Sequence, residues 1–393
     1  MTMGPERGKA VDAMGFAFDP HSPEFQAERA STYRRLRDEF PVYHHPVHDF
    51  YLVTRYDDVL SVLRDAETFS SAGIEEARAL QPMMIYMDGE AHTRLRNLVS
   101  RAFTPRRVAE LEPRVRAIAR RLLDGIGDAP ECELMHQFAA QLPSLVIGEL
   151  IGIPEERRAA FLAYTESMIE SGPQGHSVAK AARAIDREFA DLLRARRAER
   201  RDDLMSALLD AEIDGRGLSE EALLGFCFLM VVGGNDTTMN LIGNGAVLLA
   251  ENPDVRRRLV DDPGAIPDAI EEMLRLESPT QMLARRPVRE VRLHGVTIPA
   301  ESRLVVSFGA ANLDERAFPE PERFDPDRAN KHHLALGQGA HFCMGASLAR
   351  MEGRIAFEEL LARHPDYQLA EPTSWIPSRW ARSHPSVRLR LRA

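Results

Sequence analysis

An unbroken run from Ser219 to Asn252 sets the scale of anything this chain can fold into. Ser219 suits an N-cap, Glu220 and Glu221 follow in the first turn, and Pro253 forbids the same helix going further. At a rise of about 1.5 Å per residue, roughly 30 residues make about 45 Å, near the width of a whole domain. Its first half is apolar on every side, the pattern of a buried rather than an amphipathic helix. The rest of the chain must therefore wrap around it.

The remainder is consistent with that demand. Helical periodicity runs through most of the sequence after about residue 90, with no internal repeat, low-complexity tract or linker. Tyr51–Tyr56 reads as a strand with Val42–His44 as its partner, and the stretch from Val291 to Phe308 reads as a small meander or hairpin around Gly295. The expected fold is mainly α (α+β): one domain over residues 1–393, α-rich with a smaller β region, behind a flexible N-terminal segment of about residues 1–18. The most apolar stretch, Ala222–Val232, is broken by Gly225 and is too short to span a bilayer, so it reads as core helix.

Composition excludes several classes of function. Three widely spaced cysteines argue against a disulfide framework and for a reducing compartment, and none has zinc-type pair spacing. A net charge of −10 with scattered arginines argues against a nucleic-acid binder. The N-terminus has no apolar run after its charges, so neither a signal peptide nor a membrane anchor is expected, and the chain is placed in the cytoplasm.

Two segments stand out against this background. In Leu336–Gly345 (LGQGAHFCMG), Cys343 is surrounded by small, flexible residues. Gly337 and Gly339 suit a tight turn or a backbone lying flat against something broad. Helical sequence resumes from Met344, so Cys343 would stand at a helix N-terminus, where a thiolate is stabilised. Cys132 and Cys227 read as ordinary buried cysteines. The second segment, Gly233–Thr238 (GGNDTT), puts poor helix formers inside the long helix, at a cost of about 2 kcal/mol for the two glycines. Either a close helix crossing or a local distortion that makes room for a ligand would account for it.

Taken together, these segments resemble the haem-ligand loop and the oxygen-activation motif of the cytochrome P450 family. Further motifs follow in the family's order: His92-x-x-x-Arg96 before Phe103-Thr104-Pro105, Glu272-x-x-Arg275, and Pro321-Glu322-Arg323-Phe324. The resemblance covers nearly the whole chain from about Asp19. It implies the family's α-rich triangular fold and a haem b whose iron is held by the Cys343 thiolate, with Gly345 beside it. It also implies propionate partners at His92, Arg96, Arg285 and His341. Asp236 would connect solvent protons to the pocket, and Thr237 would hydrogen-bond the oxygen being activated. Glu272, Arg275 and Arg323 would hold the core on the haem side. Leu336 departs from the family, which usually has phenylalanine there.

The activity so implied inserts one atom of O2 into a hydrophobic small molecule. Electrons would come from NAD(P)H through a separate ferredoxin and its reductase, since no flavin or iron–sulfur domain fits in the chain. Arg101, Arg106, Arg107, Arg350 and Arg354 are expected on the docking face. The same motifs would also serve a peroxygenase, a C–C coupling enzyme, or a haem-thiolate protein that binds a ligand without turnover. The substrate pocket is expected to draw on Gly73–Tyr86, on a stretch near Tyr164–Gly175, on Leu229–Gly233 and Gln281–Leu283, and on a turn near Trp380. Met84, Ile85, Val232, Gly233, Met282 and Leu283 are its expected lining.

Overall fold

The long helix forms as its caps dictate. In the computed structural model, which describes residues 16, 18–74, 83–102, 104–171, 176–213 and 215–391, it spans Glu220–Glu251. The Ser219 hydroxyl accepts from Ala222 N at 3.1 Å, and Asn252 closes the other end. Residues 1–15 and 17, Phe103 and positions 75–82 lie outside the described residues, as do the side chains of 164–182, so expectations that rest on them go no further.

Every residue of this central helix from Thr238 to Leu249 is buried, whereas Val232 and Gly233 are open. The wholly buried half is thus the second one. The first half is apolar because one of its faces borders a cavity rather than packed protein. Among the described residues it is the one helix long and apolar enough, by length and composition, to cross a membrane, and half of its apolar window is buried inside the fold.

Three further helices position the site: Gly89–Ala102, Ile266–Leu276, and Ala346–Arg363, called the cysteine helix for the residue just before it. The cysteine helix lies along the central one where glycines let them approach. A side chain at Gly353 would stand 3.0 Å from Leu241, and one at Gly245 would meet Phe357 at 2.6 Å.

The β region is mainly one five-stranded sheet. Its strands are β1 (Val42–His45), β2 (Phe50–Val53), β3 (Phe69–Ser70), β4 (Met282–Pro287) and β5 (Leu304–Ser307), in the order β1-β2-β5-β4-β3. The β1–β2 hairpin is antiparallel, pairing Val42 with Val53, and β2 lies parallel to β5. The Val291–Phe308 stretch divides: Val291–Leu293 and Val296–Ile298 make a hairpin turning at Gly295, and the rest joins the main sheet as β5.

The Glu272 cluster corrects one assignment. Arg275 holds Glu272 through two bonds of 2.7 and 2.8 Å and donates to the carbonyls of Asn312 and Pro321, both at 2.8 Å. The third side chain is Arg328, whose Nε reaches Glu272 at 3.2 Å. Arg323 contributes only its backbone carbonyl, while its guanidinium faces solvent near Glu320.

Candidate functional site

Between the central helix and the cysteine loop lies a cavity with about 1560 Å³ of empty space, open to solvent. Gly233, Gly234, Thr237, Thr238 and Leu241 line it from the central helix, a spacing of one helical face. Asp236 stands off that face. Its Oδ1 is buried without a partner, and burial pushes its carboxyl up to about 6. The helix shows no break at the two glycines; instead the Thr237 hydroxyl donates to Gly233 O at 2.7 Å.

Opposite, Leu336–Gly345 forms the other wall. Gly337 and Gly339 both take φ near +70°, and a Cβ on Gly339 would fall 2.5 Å from the Leu63 carbonyl oxygen, so only glycine fits there. Cys343 N donates to Leu336 O at 2.8 Å, and Arg96 reaches across to Phe342 O at 2.6 Å. The cysteine helix begins at Ala346 rather than Met344, with Gly345 as its N-cap. Burial raises the Cys343 thiol, while the Gly345 N–H, Arg96 and Arg350 pull it down.

At one edge of the cavity His92, Arg96, Arg285 and His341 converge. The two imidazoles stack at a tilt of 34°, 4.2 Å between centroids, and both Nε2 atoms are buried without a hydrogen bond, that of His341 lying 3.6 Å from Asp88 Oδ1. Burial lowers both, His341 to about 4. Arg285 is 6% exposed, and its guanidinium donates to the neighbouring Ala284 carbonyl at 2.8 Å; burial drops it to about 10. Two buried ring nitrogens without a hydrogen bond and a buried guanidinium bonded only to a backbone carbonyl are what a flat group with anionic arms would satisfy, so these residues fit a haem.

Of the expected substrate-side lining, Met84, Ile85, Gly233 and Leu283 face the cavity. Val232 and Met282 are not among its lining residues; Met282 is fully buried on the other face of β4, and Val232 points outward, 37% exposed. Period would have excluded both. Leu283 shares a strand face with Arg285, and Val232 is five residues from Thr237 where helix faces repeat at three and four. The motifs missed Ile147, Phe226, Phe308 and Glu352 in the lining, and Asp88, whose Oδ1 is 3.6 Å from His341 Nε2. Asp88 also accepts from Ser70 Oγ, Ser71 N and Ala72 N.

A helical fold with a central helix facing a glycine-rich cysteine loop across a cavity edged by His92, Arg96, Arg285 and His341 is that of a haem-thiolate protein. The family model for cytochrome P450 matches residues 266–365. The chain is 38% identical to cytochrome P450 130 of Mycobacterium tuberculosis over 94% of its own length and 98% of the relative's. It is 40% identical to a vitamin D(3) 25-hydroxylase of Pseudonocardia autotrophica over 90% of each chain. Its fold superposes on the Bacillus subtilis bacillaene polyketide synthase cytochrome P450 PksS with a TM-score of 0.90, covering 96% of this chain and 100% of that one at 35% identity. The chain belongs to the cytochrome P450 family of monooxygenases.

Proposed function

We propose that the whole chain is one haem b domain that hydroxylates or epoxidises a neutral, bulky, hydrophobic small molecule. For a hydroxylation the balance is RH + O2 + 2 e− + 2 H+ → ROH + H2O, the electrons arriving from NAD(P)H through a separate reductase and ferredoxin in the cytoplasm.

The observation that carries this reading is how the cavity divides its polarity. Its cationic and imidazole groups gather at one edge, while Met84, Ile85, Phe226, Leu229, Met230 and Leu283 make the wall near Thr237 apolar. A charged substrate would find no counter-charge on that wall, and methionines adapt to varied apolar shapes. A rigid polycyclic lipid or a polyketide fits this chemistry, in keeping with the vitamin D(3) 25-hydroxylase and the bacillaene polyketide synthase P450 among its relatives.

Haem bound through Cys343 supplies the redox chemistry that splits oxygen. In this reading Cys343 would hold the iron, and His92, Arg96, Arg285 and His341 would hold the propionates. Gly345 donates its backbone N–H toward the sulfur, and a Cβ there would make only an ordinary contact, 3.8 Å from Cys343 Sγ. Asp236, raised by burial to about 6, exchanges protons just below neutral pH, and Thr237 presents a hydroxyl at the cavity wall. Arg101 and Arg106 are exposed and suit partner docking alongside Arg107. Arg350 and Arg354 are held in ion pairs with Glu271, and with Glu112 and Glu358.

The test is a titration of haem-loaded protein with steroids, secosteroids, polyketides and fatty acids, read from the ferric absorption spectrum and followed by product analysis. A thiolate spectrum that shifts to high spin with a neutral polycyclic or polyketide ligand, and a product heavier by one oxygen, is expected. A product without added oxygen would move the enzyme to the family's atypical chemistries. A C343A variant that keeps the thiolate spectrum would sink the ligand assignment.

A further inference from the structure

One stretch of the cavity wall is held from behind by a helix that does not itself reach the cavity. Residues 277–283 run from the end of helix Ile266–Leu276 into β4, and line the cavity with Pro279, Thr280 and Leu283. Glu277, Ser278, Gln281 and Met282 of the same stretch are buried, so their side chains serve the protein rather than a guest. Two of them, Glu277 and Gln281, are polar and need partners there.

The partners come from the N-terminal helix Arg29–Glu39. Arg29 and Tyr33 lie one turn apart on one face of it, both buried, and they meet Glu277 and Gln281, which are spaced alike. Arg29 Nη2 donates to Glu277 Oε1 at 3.0 Å and to the Leu276 carbonyl at 3.2 Å. The Tyr33 hydroxyl donates to Gln281 Oε1 at 3.0 Å and also meets Ser307, which pairs with Met282 in the main sheet.

A turn near the C-terminus completes the clasp. Arg382 Nε donates to Glu277 Oε2 at 2.9 Å, and its guanidinium lies 3.2 Å from the centre of the Trp375 ring. Arg382 N donates to the Pro279 carbonyl at 3.0 Å, and Gln281 N donates to the Trp380 carbonyl at 2.7 Å. From the central helix, Asn244 Nδ2 reaches the carbonyls of Arg382 and Glu277, at 2.9 and 3.4 Å. Taking a carboxylate and two guanidiniums out of water offsets most of their attraction, so such a cluster adds little to stability over apolar side chains of the same volume. Its bonds do have direction, and the backbone they orient is the one that carries Pro279 and Thr280 into the cavity.

We propose that Arg29 and Tyr33 are positioning residues for the substrate. Through Glu277 and Gln281 they set how far Pro279, Thr280 and Leu283 project into the cavity, and so which part of a bulky neutral guest is presented for oxidation. Neither residue touches the guest. A displacement of about 1 Å in such a wall is enough to change rate or selectivity many-fold. The inference rests on the reading that this cavity takes a bulky hydrophobic substrate.

The experiment compares the holoenzyme with R29M, R29K and Y33F. R29M leaves Glu277 paired with Arg382, and Y33F deletes a single hydroxyl, so neither strands the carboxylate and each stands in if the other does not fold. The readouts are the ratio of oxygenated products from progesterone, the affinities for progesterone and for imidazole from the ferric spectrum, and hydrogen exchange of the 277–283 amides without a guest. In R29M and Y33F the product ratio is expected to shift at least about threefold and the amides to exchange at least about tenfold faster. Imidazole, too small to touch the whole wall, should bind as in wild type, the urea midpoint should hold, and R29K should lie nearer wild type than R29M. A wild-type product ratio and wild-type exchange in both R29M and Y33F overturn the inference. Equal losses for imidazole and progesterone also overturn it, since they would mark the helix as general support. If wild type gives no spin shift with progesterone, the steroid arm of the reading beneath fails instead, and exchange decides the inference: unchanged rates at 277–283 in both variants refute it.

Discussion

Asp236 carries a cost that its position imposes. Its carboxyl is held at about 6 by burial, above the value near 3.9 of an unfolded chain. Folding therefore favours the protonated form: the penalty is absent below about pH 4, grows as pH rises, and is complete above about pH 6. D236N is expected to make the holoenzyme more stable by about 1–3 kcal/mol at pH 7.5 and no more stable at pH 4, read from urea melts. The same change should slow oxygen-dependent turnover by about 10- to 100-fold and remove any pH limb centred near 6 from its rate profile. Equal stability of the two proteins at pH 7.5 would contradict the burial of that charge. The motif told which residue types were present, but not that Asp236 stands off the cavity face, because the phase of the helix relative to the cavity is fixed by packing against other elements. Arg323 was misassigned for a related reason: Arg275 uses its carbonyl, a group every residue has, while the side-chain partner is Arg328, five positions on.

The cysteine loop and the Glu272 cluster offer two contrasts at the level of elements. G339A places a Cβ against the Leu63 carbonyl in a left-handed conformation, whereas G345A makes only an ordinary contact with the sulfur. Loss of about 2–4 kcal/mol and of haem retention is expected for G339A, with G345A folding and binding haem; thermal melts and the haem-to-protein absorbance ratio decide. R328L should cost about 3–5 kcal/mol by stranding part of the charge on buried Glu272, and R323L should stay within about 0.5 kcal/mol. A reversed order in denaturant melts would return Arg323 to the cluster. The ends of the central helix were legible because Ser219 and Pro253 are local signals. The β1–β2 hairpin was legible for the same reason, whereas the parallel pairing of β2 with β5, some 250 residues apart, leaves no local trace.

For the molecule as a whole, the ordered motifs made the fold class readable well before any geometry. What they could not show is which surface arginines are available. Arg350 and Arg354 are tied into partly buried ion pairs, whereas Arg106 pairs with Glu110 but is still 89% exposed, so R101E combined with R106E should weaken transfer from ferredoxin by about 3- to 10-fold, more at low salt than at high, while leaving peroxide-driven turnover intact. An effect on peroxide-driven turnover would assign those residues a structural part instead. The central helix also has a mechanical consequence. Buried without a break from Thr238 to Leu249, and carrying cavity-lining residues among buried ones such as Phe228 and Val231 from Leu229 to Gly234, it is a beam with its firmer root in the second half and its cavity-facing arm in the first. Ligands of different girth can be met by flexing that arm while the root stays still. The threonines sit at the fulcrum, where a deflection that admits a bulkier guest displaces them least.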